Sequence, residues 1–165
     1  MKYVLAIICA LAVASSAHAG ELSMTMADGS AMPGPDAVQL MDYITHHDPY
    51  RDWGPGAAGR GFNGSAEAHG LTVATYYNAE ALAEGIRDLP YGSIIVKEHR
   101  VPTRGMTALT VMYKVRKGYN PDAGDWYWAK YTPNGRLQVA GRVAACIKCH
   151  KAGEGSDFVF GHEGR

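Results

Sequence analysis

Two cysteines and a histidine near the end of the chain could do the most distinctive chemistry. Two residues separate Cys146 from Cys149, and His150 follows Cys149 directly. This C-x-x-C-H spacing is typical of covalent c-type haem attachment, because two thiols one helical turn apart add to the two haem vinyl groups. The histidine is then placed to ligate the iron. A redox dithiol, a disulfide or half of a zinc site would use the same cysteines, but no second pair of zinc ligands appears. We therefore predict one haem c, attached through Cys146 and Cys149, with His150 as proximal ligand.

The first 19 residues have the features of a signal peptide. Lys2 gives a short positive start, Val4 to Val13 is almost entirely apolar, and Ala17-His18-Ala19 matches the small-x-small cleavage pattern. The apolar run is too short to span a membrane. Cleavage before Gly20 would remove Cys9 and leave the two motif cysteines as the only ones, so no disulfide is expected. Haem attachment to an exported chain indicates the bacterial periplasm.

Length and composition then limit the rest of the chain. Residues 20–34 are rich in Gly, Pro and Ser and predict a flexible leader. Residues 35–165 have the length of one haem domain. Acidic and basic residues are balanced at 16 each, which argues against a nucleic-acid partner or an anionic membrane surface.

Short strands separated by turns dominate the predicted elements. A helix capped by Asp36 is predicted to run to His46 and to end before Pro49, and Asn78 is predicted to cap a second, short one. The β-branched and aromatic runs predict strands at 71–77, 93–99, 108–115 and 125–131. A last helix, 143–151, carries the cysteine motif. We predict an α+β fold, a single haem domain dominated by an antiparallel β-sheet with a few short helices.

Four segments give the chain a family resemblance over roughly Asp36 to Phe160. They are Tyr91–Glu98, Gly124-Asp125-Trp126, Cys146–His150 and Asp157-Phe158-Val159-Phe160. Together they resemble the cytochrome P-460 family, which includes the β-type cytochromes c′. The resemblance implies a sheet-dominated haem domain with a five-coordinate iron.

The resemblance also implies roles for two strand residues. In hydroxylamine-oxidising members, the lysine of the V-K-E segment is covalently joined to the porphyrin edge, and by position that lysine is Lys97. Ile95, Lys97 and His99 share one strand face, whereas Glu98 points away. Catalytic members carry a distal carboxylate on the strand that corresponds to residues 108–115, where this chain has Met112 and no acid. Lys97 and Met112 are therefore the candidate catalytic residues.

The remaining candidates have weaker signals. Phe158 follows the haem motif closely and is expected to cover the porphyrin edge. His46 and His47 are expected at the surface, His99 and His162 are expected to be solvated, and His69 is a candidate second haem ligand or haem-edge residue. Met106 and Met112 are the remaining candidates, and packing in the core is the default role of a methionine on a strand.

The sequence is consistent with three functions. The first is a periplasmic mono-haem c-type cytochrome of the P-460 type, oxidising hydroxylamine or converting nitric oxide and passing electrons to a soluble periplasmic partner. The absence of a distal acid favours the second, a non-enzymatic haem protein that binds nitric oxide or carbon monoxide. The third is a simple electron-transfer cytochrome c with Met112, Met106 or His69 as second axial ligand. Related sheets pair as dimers, so a homodimer is also open.

Overall fold

The computed structural model describes residues 31–55, 63–64, 72–82 and 88–160. The predicted signal peptide, most of the leader, His69 and His162 lie outside the described residues. No helix within the described ranges is long and apolar enough to cross a membrane.

Strands of one antiparallel sheet form most of the described structure. The strand bounds are Gly54–Pro55 (β1), Asn63–Gly64 (β2), Thr72–Tyr77 (β3), Ile94–Val101 (β4), Gly105–Lys114 (β5), Trp126–Tyr131 (β6) and Leu137–Gly141 (β7). Their order across the sheet is β1-β3-β4-β5-β6-β7, and β2 pairs with β3 as well. The strands from β3 to β7 are neighbours both along the chain and across the sheet, with short turns between β4 and β5 and between β6 and β7 and longer connections between the others.

Two short α-helices lie on opposite faces of this sheet. Helix α1 is Ala37–Asp42 and continues as a π-helical turn, Tyr43–His47; the Asp36 carboxylate accepts hydrogen bonds from the first-turn amides, as the sequence predicts. Helix α2 is Ala144–His150 and carries the cysteine motif. Single 3₁₀ turns complete the described helical structure, at Tyr50–Asp52, Glu80–Leu82, Pro121–Ala123 and Lys151–Ser156. The predicted α+β class is confirmed.

The sheet separates two apolar clusters, because successive strand residues point to opposite faces. The α1-side core packs α1 against residues such as Ile94, Val96 and Val111. The Tyr113 hydroxyl donates to Pro33 O at 2.7 Å and the Tyr131 hydroxyl to Ala37 O at 2.8 Å, which fastens the α1 segment to this face. The α2-side cluster includes Ile95, Met112, Trp126, Trp128, Phe158 and Val159, with Val143, Cys146 and Ile147 packed against it.

Strand β7 was not predicted from the sequence. It pairs with β6 after the turn at Asn134-Gly135. The signals were present, since an Asn-Gly turn followed by the alternating Leu137-Gln138-Val139 is typical of a hairpin. Its side chains are largely exposed, so the segment lacks the buried apolar run that marks the other strands.

Candidate cofactor site

A cavity of about 330 Å³ lies between α2 and the sheet. Cys146, Cys149 and His150 line it from the helix, and Lys97 and Met112 line it from β4 and β5. The structure therefore brings together the predicted attachment residues, the proximal ligand and both candidate catalytic residues. Phe158 is buried in the adjoining α2-side cluster.

The imidazole of His150 is held in one orientation. The side chain is 5 % exposed, and its Nδ1 lies 2.7 Å from the carbonyl oxygen of Phe158. Because a carbonyl only accepts, Nδ1 must carry the proton, and in the neutral ring Nε2 then has the lone pair. Metal-binding histidines are commonly fixed in this way by a second partner. Burial lowers the pKa of His150, with a smaller contribution from the charge of Lys97, so the neutral form needed by a metal is favoured.

A strained turn supplies the carbonyl that holds His150. Asp157 and Phe158 have positive φ values of 54° and 63°, a conformation that costs a non-glycine residue on the order of 1–3 kcal/mol. The Asp157 carboxylate accepts from Leu89 N at 2.8 Å and from the Lys114 ammonium, while its carbonyl accepts from Trp126 Nε1 at 2.9 Å. Burial raises the pKa of Asp157, and the Lys114 and Leu89 contacts oppose this. The turn is thus fixed by contacts from three separate segments.

Asp157 was not singled out from the sequence. It lies in one of the four family segments. No spacing rule, however, identifies a carboxylate whose role is to position the carbonyl group of the next residue. Phe158 was expected to cover a porphyrin edge with its ring. The structure adds a backbone role, since its carbonyl orients His150.

The two motif cysteines are free thiols on the cavity side of α2. Cys146 is half-buried and Cys149 is exposed. Burial raises the pKa of the Cys146 thiol. Of the two cysteines that line the cavity, Cys146 is therefore the more enclosed.

The sheet presents two successive rungs of side chains to the cavity. In the first, Ile95, Met112 and Trp128 stand side by side across β4, β5 and β6. All three are buried, at 1 %, 6 % and 3 % exposure, and they form an apolar floor. In the second, Lys97 lies beside Thr110, which lies beside Lys130 on β6. Lys97 is half-buried, and burial lowers the pKa of its ammonium group.

Glu98 lies on the other face of the sheet, as its strand position predicts. It is 1 % exposed and accepts hydrogen bonds from the Tyr50 hydroxyl at 2.7 Å and from Arg51 and Arg100. Burial opposes its ionisation, but these hydrogen bonds together hold the pKa of Glu98 below its ordinary value. None of the described residues that line the cavity is acidic.

The prediction that His99 is solvated was wrong. His99 is 4 % exposed, lines the cavity, and places Nε2 2.8 Å from Thr110 Oγ1. The error arose because β4 continues to Val101, so His99 is not at a strand end. The surface prediction for His46 and His47 is confirmed, since both are exposed beside Asp42.

The family comparison agrees with this arrangement. The model of the cytochrome P460 family matches residues 48–161, which is most of the chain and includes every residue of the site described above. The chain belongs to the cytochrome P460 family. A search of curated proteins found no match. The resemblance predicted from the four sequence segments is confirmed, and membership makes the chain a haem protein of the P460 type.

The cavity of this cytochrome P460 domain fits a haem. Its floor is apolar, its helix wall offers two thiols and an imidazole with an oriented Nε2, and Lys130 offers a cation for a haem carboxylate. The Nε1 of Trp128 is buried without a hydrogen-bond partner among the described residues. An unsatisfied buried donor costs about 1–3 kcal/mol, and a group with acceptor oxygens in the cavity would relieve it.

Proposed function

We propose that this protein is an exported, periplasmic mono-haem c-type cytochrome that oxidises hydroxylamine or converts nitric oxide. The observation that carries the proposal is the His150 imidazole, fixed through Nδ1 and lining one cavity together with two free thiols in a chain of the cytochrome P460 family. Bound through Cys146 and Cys149, the haem would supply an iron with an open position that binds a small nitrogen compound and exchanges electrons with it.

Lys97 is proposed to lie against the porphyrin edge. Its side chain enters the cavity from β4, and burial favours the neutral amine, which is the nucleophilic form. A covalent bond there would replace one N–H and one porphyrin C–H by an N–C bond. That change is a two-electron oxidation with loss of two protons, so an external two-electron oxidant must accept the electrons.

Proton transfer is proposed to use His99 in place of a carboxylate. Oxidation of hydroxylamine releases protons together with electrons, and a base within the site speeds their removal. His99 and Thr110 form a hydrogen-bonded pair inside the cavity. An imidazole can carry a proton on one ring nitrogen and accept one on the other, so it is suited to transfer a proton there. The electrons would leave to a soluble periplasmic redox partner.

The second candidate is a non-enzymatic protein that binds nitric oxide or carbon monoxide. It is favoured by Met112, which is buried in the apolar floor on the strand where the resemblance places the acid of catalytic members. An apolar floor suits small neutral diatomic molecules, because the floor itself offers no charge or base. The electron-carrier alternative has less support: Met106 packs against the α1-side core, on the other face of the sheet.

The absorption spectrum of the purified ferrous protein tests these proposals. A Soret band far to the red of an ordinary c-type haem supports a modified porphyrin, and a tryptic haem peptide that contains Lys97 as well as Cys146 and Cys149 then identifies the bond. An ordinary five-coordinate high-spin spectrum contradicts the cross-link and favours diatomic binding. A six-coordinate low-spin spectrum contradicts both and favours electron transfer.

A further inference from the structure

The charges of the chain are unevenly distributed along its sequence. Between Asp125 and Glu154 there is no acidic residue, but there are five basic ones: Lys130, Arg136, Arg142, Lys148 and Lys151. Because acidic and basic residues are balanced over the whole chain at 16 each, the remainder carries an excess of acids. The segment with the positive charge is the one that contains β6, β7 and α2.

Two of these cations lie close in the sequence to the motif cysteines. Lys148 and Lys151 are exposed on and just after α2, on either side of the exposed Cys149. Arg136 is exposed just before β7, the last strand of the described sheet, whereas Arg142, just after β7, stacks on Tyr119, which packs against the α1-side core. We call the surface formed by Arg136, Lys148 and Lys151 together with the exposed residues of β7 the α2–β7 face.

Exposed apolar side chains lie among these cations. Leu137 is 45 % and Val139 is 40 % exposed, and Val139 lines the cavity. Phe160 is 45 % exposed, and its ring centroid is 5.3 Å from that of His150. An apolar centre with a charged rim is the arrangement of protein–protein interfaces.

The stability of α2 alone does not explain this distribution of charged residues. Cations near the end of α2 interact favourably with the helix dipole, which explains Lys148 and Lys151. Arg142 is explained by a cation–π contact, since its guanidinium lies 5.0 Å from the ring centroid of Tyr119. Neither interaction explains Arg136 before β7, nor the absence of any acid between residues 126 and 153.

We propose that the α2–β7 face is the docking surface for an acidic redox protein that exchanges electrons with the haem. This inference rests on the proposed haem function and identifies the chemistry of its partner. A negatively charged partner is favoured by charge complementarity, which accelerates encounter when potentials are opposite. A second copy of this chain is disfavoured, because it would bring like charges together, and charged residues beside an edge strand oppose edge-to-edge pairing.

Electron transfer to small redox ions tests the proposal on the haem-loaded protein. The reduced protein is mixed with anionic hexacyanoferrate(III) or with cationic tris(phenanthroline)cobalt(III) in a stopped-flow instrument. Ionic strength is raised from about 10 mM to about 150 mM, which shortens the screening length from ~30 Å to ~8 Å. The rate constant with the anion is expected to fall about tenfold over this range, and that with the cation is expected to rise.

Variants with reversed charge test which part of the surface causes this dependence of the rate on salt. The double variant Lys148→Glu/Lys151→Glu is expected to lower the low-salt rate with the anion about tenfold. Lys151→Glu alone, outside the C-x-x-C-H motif, should give part of that loss if the double variant fails to mature. The matched control is Lys117→Glu, an exposed lysine in the turn after β5, which should leave the rate nearly unchanged. Equal losses in Lys151→Glu and Lys117→Glu would overturn the proposal.

Two further measurements separate this proposal from the function on which it rests. Absence of haem in a pyridine haemochrome assay refutes both. A haem-loaded protein whose rates do not depend on salt refutes only the docking surface. Sedimentation that shows a dimer, converted to monomer by Val139→Glu, would also overturn it, since the face would then join two copies of the chain.

Discussion

Gly124 tests whether the strained turn at Asp157-Phe158 controls the proximal histidine. Gly124 has a φ of 62°, and a Cβ added there would lie 2.9 Å from Asp157 Oδ1 and 3.0 Å from both Phe158 Cδ2 and Trp126 Cδ1. Gly124→Ala should therefore be destabilised by its left-handed backbone conformation, and its added Cβ should also crowd the turn that holds His150. Gly105 has a similar φ of 68° with nothing within 4 Å of the added atom, so Gly105→Ala carries the backbone cost alone.

The backbone conformation and the crowding contribute separately to the loss of stability. The left-handed conformation costs an L-residue roughly 1–2 kcal/mol in either variant. Crowding in a packed site adds about 1–3 kcal/mol. Gly124→Ala should thus lower the free energy of unfolding by about 1–3 kcal/mol more than Gly105→Ala does.

Guanidinium unfolding of the haem-loaded variants measures the difference in stability. The iron–histidine vibration of the ferrous protein measures the proximal bond, because the hydrogen bond at Nδ1 tunes the basicity of the ligating ring. Only Gly124→Ala should shift this vibration. Equal stability losses in the two variants, or an unmoved vibration despite a larger loss in Gly124→Ala, would refute the link between the turn and His150.

Three further predictions concern the cavity and the opposite face of the sheet. Cys146→Ala/Cys149→Ala should release its haem into acidified acetone, whereas the unaltered protein should keep it; equal extraction from both would contradict covalent attachment. Met112→Glu should raise hydroxylamine turnover relative to Met112→Gln, since it restores a carboxylate base, and equal turnover in the two would count against a proton-transfer role at this position. Because hydrogen bonds hold the pKa of Glu98 below its ordinary 4.5, its stabilisation is complete above that pH and is lost as the pH falls through the folded-state pKa. Glu98→Gln should therefore flatten the loss of unfolding free energy on acidification, and an unchanged acid slope would contradict the assignment.

The parts of the fold that the sequence predicts are those with local signals. The alternation of faces along β4, the Asp36 cap and the helix that carries Cys146 were all predicted, because period, capping residue and motif spacing are local properties. The opposite orientations of Lys97 and Glu98 follow from the same alternation.

The parts that were missed depend on contacts between distant segments. His99 is buried because β4 extends past it and pairs with β5, and Asp157 gains its role from Leu89 and Lys114, which are far away in the sequence. Residue spacing in the sequence does not predict such contacts. Strand β7 was missed for a different reason: its exposed side chains at the edge of the sheet lack the strong β signal of a buried strand.

The division of each central strand between two faces has a consequence for how this protein can diversify. Along β4 and β5, every second residue belongs to the α1-side core and the intervening ones face the cavity. Changes at Ile95, Lys97, Thr110 or Met112 can therefore alter the chemistry of the cavity while the packing around Val96 and Val111 is kept. One stretch of chain thus holds two interleaved sets of positions, one that maintains the scaffold and one at which substitutions can change reactivity.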